Sequence, residues 1–318
     1  VLLATLTYTL YGGLRASLFT DNIQMILVIV LLIISFFIIK NLNLDQFSFK
    51  FIGEKNPHLI SASYIPGYTA GLTFFIAVAA TNLFHQGNWQ RVYAAKNFVT
   101  LKKSLILSFF IIIPIVFYTG FVGMVAFSID PVTRPDLGFF SLLLKNNSTM
   151  LSLIVIILGL ALTISTVDTL VNAISSLIVV DGKAVIEFKK RKKINYLKFS
   201  KYVILLLSSI SFFIASKGFD ILYLFLLADL FCCAFVFTIF YSFFDKRINE
   251  KKAYFSIIIG LIGGLLLFPS PDFSKSLLVG FLLSKELFTP FINQSLLFVS
   301  FLIATFLPLV VLKLKKFK

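Results

Sequence analysis

Residues 159–181, GLALTISTVDTLVNAISSLIVVD, set several polar side chains in an otherwise apolar stretch. Their spacing of three and four residues predicts a helix with one polar face, formed by Ser165, Asp168, Thr169, Asn172 and Ser176. A carboxylate at bilayer depth is costly and normally faces a bundle interior or an aqueous ion path. Hydroxyl, carbonyl and carboxylate oxygens are the ligands that hard cations prefer, and sodium is such a cation. The stretch therefore predicts a cation site, whereas hydrogen bonding between helices is the simpler explanation for Ser175 and Ser176.

The composition excludes an ordinary soluble domain. Hydrophobic residues make up 58% of the 318 positions and charged residues only 14%, and the mean hydropathy is +0.97. These values predict an all-α, polytopic membrane helical bundle embedded in a lipid bilayer. The two cysteines, Cys232 and Cys233, are adjacent within an apolar run, so the sequence offers no disulfide framework.

Eight apolar segments have lengths that broadly fit a hydrocarbon core of about 30 Å. They are residues 17–39, 64–86, 104–128, 148–180, 202–216, 219–243, 254–269 and 294–312. A partial span precedes Gly12, and the segment 254–269 is short for a complete crossing. We expect external connections at residues 41–63, 129–147 and 270–293, with a turn at residues 130–136 and a short interfacial helix within 270–293.

Basic residues segregate when the connections are assigned alternately to the two sides of the membrane. Most of the 29 Lys and Arg, including Arg15, Arg91, the run 189–193 and the C-terminal lysines, fall on one side. The positive-inside rule predicts that this side, with the C-terminus, is cytoplasmic. The run 189–193 is therefore interpreted as a topology determinant and not as a nucleic-acid site.

Two further acids lie in apolar surroundings. Asp21, beside Thr20 and Gln24 near the start of a long apolar segment, is equally consistent with a helix cap and with a cation ligand. Asp229, in the run LYLFLLADLFCCAFVF, is predicted either to contact a solute or to pair with polar groups of a neighbouring helix.

Residues 61–91 have an unusual composition for a membrane helix, with Pro and Gly near one end and polar side chains near the other. Discontinuous helices with freed carbonyl groups form the binding centres of many transporters. We therefore predict that the solute path is lined by Thr81 and Asn82, with Phe74 or Phe75. The alternative is a conventional helix that becomes polar as it leaves the membrane.

Four sequence blocks occur in a recognisable order. They are YTLYGGLRASLFTDNIQ at residues 8–24, WQRVYAAK at 89–96, STVDTLVNAISSLIVVD at 165–181 and, more weakly, ADLFCCAFVF at 228–237. Together they resemble the sodium/solute symporter family, over residues 8–243. The resemblance implies a LeuT-type 5+5 inverted repeat, in which substrate and ions bind at the midplane.

By that correspondence, residues 1–318 are a single transmembrane transporter domain that contains part of the first repeat, the complete second repeat and two C-terminal helices. Val1 is not an initiator methionine, which predicts a sequence truncated at its N-terminus. The discontinuous first core helix is expected to precede this chain.

The resemblance also implies ion sites. The family's main sodium site uses hydroxyl groups that match Ser165 and Thr166 and a backbone carbonyl that matches Leu162. Some members have a second cation site, whose acid matches Asp21 and whose other groups match Ser165, Asp168 and Thr169. The family's substrate-gating aromatic falls near Thr81 and has no aromatic counterpart here, which leaves the choice of solute open.

These observations predict sodium-coupled symport of a small organic solute, such as urea or an amino acid like proline, by alternating access. The alternatives are a transporter-like membrane sensor and a proton-coupled carrier of the same fold. An enzyme is disfavoured because the sequence has two histidines and neither an HExxH nor a GxSxG pattern. We expect no cofactor besides the coupling ion, no nucleic-acid partner, and a plasma or bacterial inner membrane location.

Overall fold

The structure is a computed structural model that describes residues 2–42, 45–129, 137–144, 149–182, 195–246, 248–276, 278–279 and 290–314. Within these ranges the α-helices are α1 (Leu2–Leu42), α2 (Phe49–Lys55), α3 (Ile65–Phe84), α4 (Gln86–Ala94), α5 (Phe98–Ile129), α6 (Gly138–Leu144), α7 (Thr149–Ser176), α8 (Tyr196–Ala215), α9 (Ile221–Ser242), α10 (Glu250–Leu267) and α11 (Pro290–Lys313). A 3₁₀ turn covers Pro57–Ile60, and α7 continues as a π-helical turn over Leu177–Asp181. The described residues are mostly helical, which confirms the all-α prediction.

Seven helical segments of the described chain are long and apolar enough to cross a membrane. They are Leu14–Lys40, Ile65–Phe84, Phe98–Ile129, Thr149–Asp181, Tyr196–Ala215, Ile221–Ser242 and Gln294–Lys313. The eighth predicted span forms helix α10, but Glu250, Lys251 and Lys252 occupy its first turn and shorten its apolar part. The polytopic helical prediction is therefore confirmed, and the LeuT-type 5+5 arrangement stays a prediction.

Local signals account for several helix starts. The side chain of Asp220 accepts hydrogen bonds from the backbone N–H groups of Leu222 and Tyr223 at the start of α9. Asn195 and Asn249 cap α8 and α10 in the same way, and α3 begins with a proline in its first turn. These caps satisfy backbone donors that lack a partner within the helix.

The chain divides into two compact units. The first comprises Val1–Ser61 and Gln86–Ser216, and the second comprises Ala62–His85 and Lys217–Lys318. In the first unit, α1 packs along α7, with Leu31, Leu151, Ile154 and Leu158 in their shared core. A second core joins α1, α2, α5 and α6. This packing holds the polar face of α7 against α1.

The second unit consists of α3, α9, α10 and α11. Helices α10 and α11 pack very closely, because Gly260 and Gly264 allow Pro308 and Ala304 to approach the α10 backbone. Helix α9 contacts α3, α10 and α11, and Leu226, Leu230 and Cys233 are buried among them.

The helix of residues 61–91 is interrupted at His85, whose backbone is extended with φ −70° and ψ 99°. Helix α3 ends immediately before this residue and α4 begins immediately after it. Helix α3 is thus unbroken over the whole apolar span and the break lies at its polar end, so a solute path through this segment stays a prediction. The connections at 41–63 and 129–147 contain the short helices α2 and α6, whereas the turn at 130–136, the basic run 189–193 and residues 280–289 lie outside the described residues.

Candidate functional site

A polar seam runs between α1 and α7 within the first unit. On α1, Thr20 and Asp21 follow Ser17 by three and four residues, so all three lie on one face of the helix. On α7, the polar face predicted from sequence supplies Ser165 and Asp168. Direct side-chain hydrogen bonds join the two helices at this seam. The packing therefore places two carboxylates from sequence positions far apart at one helix interface.

Asp168 is completely buried. Its Oδ2 accepts a hydrogen bond from the Thr20 hydroxyl at 3.1 Å, and its Oδ1 accepts one from the Asn172 amide at 2.8 Å. Hydrogen bonds of this kind offset part of the cost of burying a carboxylate. Helical periodicity predicts Asn172 on the Asp168 face, whereas the contact with Thr20 follows only from the packing of α1 on α7.

Asp21 is the centre of a second cluster at the same seam. Its Oδ2 forms an ion pair with Arg91 of α4 at 2.5 Å, and its Oδ1 accepts a hydrogen bond from the Ser165 hydroxyl at 3.0 Å. The same guanidinium donates to the Thr169 hydroxyl at 3.0 Å. Arg91 and Asp21 thus bring Ser165 and Thr169 into one cluster, while the Asp168 carboxylate contacts Thr20 and Asn172.

Leu162 and Thr166, two predicted ligands of the main sodium site, lie one turn apart on α7. The Thr166 hydroxyl donates to the Leu162 carbonyl at 2.9 Å, and both residues are exposed on this helix. The hydroxyl and the carbonyl therefore occupy adjacent positions on the helix surface. Binding an ion between them requires the Thr166 hydroxyl to release this local hydrogen bond.

The second unit contains its own polar pair. The Thr81 hydroxyl of α3 donates to Asp229 Oδ1 of α9 at 2.5 Å, and Asp229 is 3% exposed. The Asn82 amide, by contrast, donates to the Val78 carbonyl of its own helix, and its side chain is exposed. Asp229 therefore contacts a neighbouring helix, which is one of the two alternatives that the sequence leaves open.

A cavity of about 600 Å³ lies in the same unit. Its lining residues are Ala70, Thr73, Phe74, Leu222, Leu226, Pro269, Phe273, Ser274, Gln294 and Leu297. Phe74 therefore reaches the cavity, whereas Phe75 is 72% exposed and does not line it.

Comparison with known proteins identifies the group to which this chain is related. The profile of the sodium:solute symporter family matches residues 1–260. The chain belongs to the sodium:solute symporter family. A relative, the spermidine transporter DUR31 of Candida albicans, is 28% identical over 266 residues, which are 82% of this chain and 48% of that protein. The chain thus spans about half the length of this relative, and no solved structure matches it.

The seam of this symporter-family chain has suitable donors for sodium. Hydroxyl and carboxylate oxygens converge there, and within the described part of the chain the buried oxygens Ser17 Oγ, Gln24 Oε1 and Gln90 Oε1 have no hydrogen-bond partner. Buried oxygens without partners are unusual and indicate room for water or a cation. The chemistry of the donor set therefore fits a hard cation.

Arg91 is the residue that sequence reasoning missed. The sequence analysis counted it only among the cytoplasmic charges, although it lies in the WQR block beside Trp89. An unpaired acid such as Asp21 in an apolar span was the available signal, because such acids normally have a cationic partner. The sequence alone did not identify which of the many basic residues would be that partner.

Proposed function

We propose that the whole protein is a sodium-coupled symporter of a small organic solute that works by alternating access. The observation that carries this proposal is the partly buried α1–α7 seam, where two carboxylates and several hydroxyl groups converge between helices apolar enough to cross a membrane. Burying carboxylates in membrane-spanning helices costs free energy, and such residues commonly mark an ion path. Membership of the sodium:solute symporter family supports sodium as the ion.

In this proposal, sodium is a transported substrate that binds at the main site of Leu162, Ser165 and Thr166. Ser165 also contacts Asp21, so ion binding at the main site changes a hydrogen bond of the second cluster. An ion that binds one conformation more tightly shifts the protein toward it. A typical coupling free energy of about 1–3 kcal/mol would link sodium binding to solute binding.

Asp21, Asp168 and Thr169 form the proposed second cation site. Because Arg91 holds Asp21 and Thr169, a cation reaches this site when the guanidinium moves away. The site is thus proposed to hold in turn the Arg91 guanidinium and a transported cation.

The solute is proposed to be urea, an amino acid such as proline, or a polyamine. The name of the Candida albicans relative supports the last class. The solute path includes Phe74, Thr81, Asn82 and Asp229, with Phe75 at its exposed margin. We further propose a plasma or bacterial inner membrane location with a cytoplasmic C-terminus.

The test is uptake by the whole protein in proteoliposomes, with and without an inward sodium gradient, over labelled urea, proline and spermidine. Ser165→Ala and Asp168→Asn should raise the sodium concentration for half-maximal uptake by roughly tenfold, because each removes a hydrogen-bonding or charged oxygen from the seam. Thr163→Ala is the matched control, since Thr163 is exposed on the same helix and bonds only its own backbone in the described contacts.

Unchanged sodium dependence in both seam variants, with folded protein, would remove the ion-site assignment. Uptake that follows a proton gradient and ignores sodium would replace sodium with protons as the coupling ion.

A further inference from the structure

The cavity of the second unit has walls that suit an apolar chain. Its volume of about 600 Å³ lies within the range of pockets that bind small organic molecules. Its lining is mostly apolar and includes Leu222, Leu226, Leu297 and the rings of Phe74 and Phe273. A solute that carried polar groups along its whole length would lose hydrogen bonds to water there.

The two helices that form the cavity also carry the Thr81–Asp229 pair, on the same faces. On α3, the cavity residues Ala70 and Phe74 are followed at helical spacing by Ala77 and Thr81. Thr81 therefore lies about 10 Å along the helix axis from Phe74.

On α9, the cavity residues and the polar residue likewise share one face of the helix. Leu222 and Leu226 line the cavity, and Asp229 follows Leu226 by three residues on the same face. The carboxylate thus lies about 5 Å along the axis beyond the Leu226 position. Leu226, which is 1% exposed, lies between it and the cavity, so an approaching group reaches Asp229 past this side chain.

Asp229 has no cation within ion-pair distance in the part of the chain that the structure describes. Its hydrogen-bonding partner there is the Thr81 hydroxyl, a neutral group. Asp21, in the other unit, instead contacts a guanidinium. A positive charge at close range strongly stabilises a buried carboxylate. A cationic solute would therefore provide the positive charge beside Asp229.

A tight turn after α10 carries a second carboxylate, the exposed Asp272, next in sequence to two residues of the cavity lining. Pro269 and Ser276 pair across this turn, and Phe273 and Ser274 line the cavity. Asp272 precedes them and accepts hydrogen bonds from the Ser270 hydroxyl and the Ser274 backbone N–H.

The same turn holds Phe273 in a strained conformation. Its φ is +53°, in the left-handed region that is strained for a residue with a side chain. Strain of this kind occurs preferentially at ligand sites. The ring packs edge-on against Tyr223, with centroids 6.0 Å apart, and is thereby held at the cavity. Lys275 lies in this turn as well, so Asp272 adds less net negative charge than Asp229 does.

We propose that this cavity binds an organic cation with amino groups at the two ends of a methylene chain, a diamine or polyamine. The methylene groups lie against the leucine and phenylalanine side chains, and the aromatic faces also attract ammonium groups. Asp229, with Thr81, binds the inner ammonium group, and Asp272 attracts the outer one. This inference rests on the proposed transport function and names its solute class.

The direct test is equilibrium binding of radiolabelled 1,4-diaminobutane to the whole purified protein, measured without a sodium gradient. Asp229→Asn should weaken binding by at least about thirtyfold, because truncating one partner of a buried charge pair typically costs 2 kcal/mol or more. Thr81→Ala should weaken it less. Butylamine, with one ammonium group, should bind more weakly than the diamine, and urea should not compete.

Thr238→Ala is the matched control. It removes another buried hydroxyl contact of α9, the one with Ser256 at 3.0 Å, and should leave diamine binding unchanged. Size-exclusion profiles identify any variant that fails to fold, and Asp229→Glu then serves as a second variant, expected to retain part of the binding.

Equal diamine affinity in the wild type and in folded Asp229→Asn protein would overturn the inference. Sodium-driven uptake of urea or proline without diamine binding would also overturn it, while leaving symport intact. Diamine binding that depends on Asp229, together with no sodium-driven uptake, would support the cavity assignment and refute sodium coupling alone.

Discussion

Replacing Arg91 with glutamine should tighten the apparent affinity for sodium. Arg91 Nη2 lies 2.5 Å from Asp21 Oδ2 and 3.0 Å from the Thr169 hydroxyl, so the guanidinium occupies the position that a second cation would need. A glutamine at this position still reaches toward Thr169 but carries no charge to compete for Asp21.

The expected change in sodium affinity follows from the solvent exposure of the Arg91–Asp21 ion pair. The side chains of Arg91 and Asp21 are 35% and 19% exposed, between a surface pair worth about 0–1 kcal/mol and a buried pair whose disruption costs about 3–5 kcal/mol. An intermediate value of about 2 kcal/mol corresponds to a roughly thirtyfold lower sodium concentration for half-maximal uptake in Arg91→Gln.

The assay is the sodium dependence of solute uptake in proteoliposomes, measured for wild type, Arg91→Gln and Arg91→Lys. The lysine variant keeps the charge but loses the planar fork, so it should fall between the other two. Lys102→Gln is the matched control, because it removes the charge of an exposed basic residue on α5.

A second control tests whether the effect acts through Asp21. In an Asp21→Asn background, Arg91→Gln should no longer change the sodium dependence, since the carboxylate for which both cations compete is gone. An unchanged or weaker sodium affinity in folded Arg91→Gln protein would show that Arg91 and sodium do not compete, and the proposed second site would be wrong.

Two further predictions concern the second unit. Hydrogen bonds from Ser270, and to a lesser extent from Ser274, lower the pKa of Asp272 from 3.8 to about 2. The ionised carboxylate therefore stabilises the fold above pH 4, and this contribution is lost as the pH falls toward 2. Thermal unfolding should therefore show Asp272→Asn less stable than wild type at pH 6, with the difference vanishing near pH 2. Gly260→Ala should cost about 1–3 kcal/mol in unfolding free energy, because its Cβ would overlap Pro308.

Each of these predictions has its own comparison. A stability difference for Asp272→Asn that stays constant between pH 6 and pH 2 would contradict the pKa argument. For the glycine, Gly159→Ala is the control, since a Cβ there meets no atom within 4 Å and should not lower stability. Equal stability of Gly260→Ala and Gly159→Ala would show that the α10–α11 contact is looser than the structure indicates.

The sequence predicted most residues of the candidate site but not which of them contact one another. The polar face of α7 follows from helical periodicity, and the burial of Asp168 follows from the cost of a charge in an apolar span. The break at His85 lies among the polar residues that follow the apolar part of its segment. Asp21 could not be assigned as cap or ligand, because a local pattern does not show what faces a helix from elsewhere in the chain.

The sequence by itself determined the class of protein and its family, because apolar composition, span length and motif order are local properties of the chain. Only the tertiary structure decided which groups meet. Asp21 contacts Arg91 across 70 positions, and Thr20 contacts Asp168 across 148. Such pairings depend on the rotation and depth at which one helix packs on another, and these are set by side-chain packing over the whole interface.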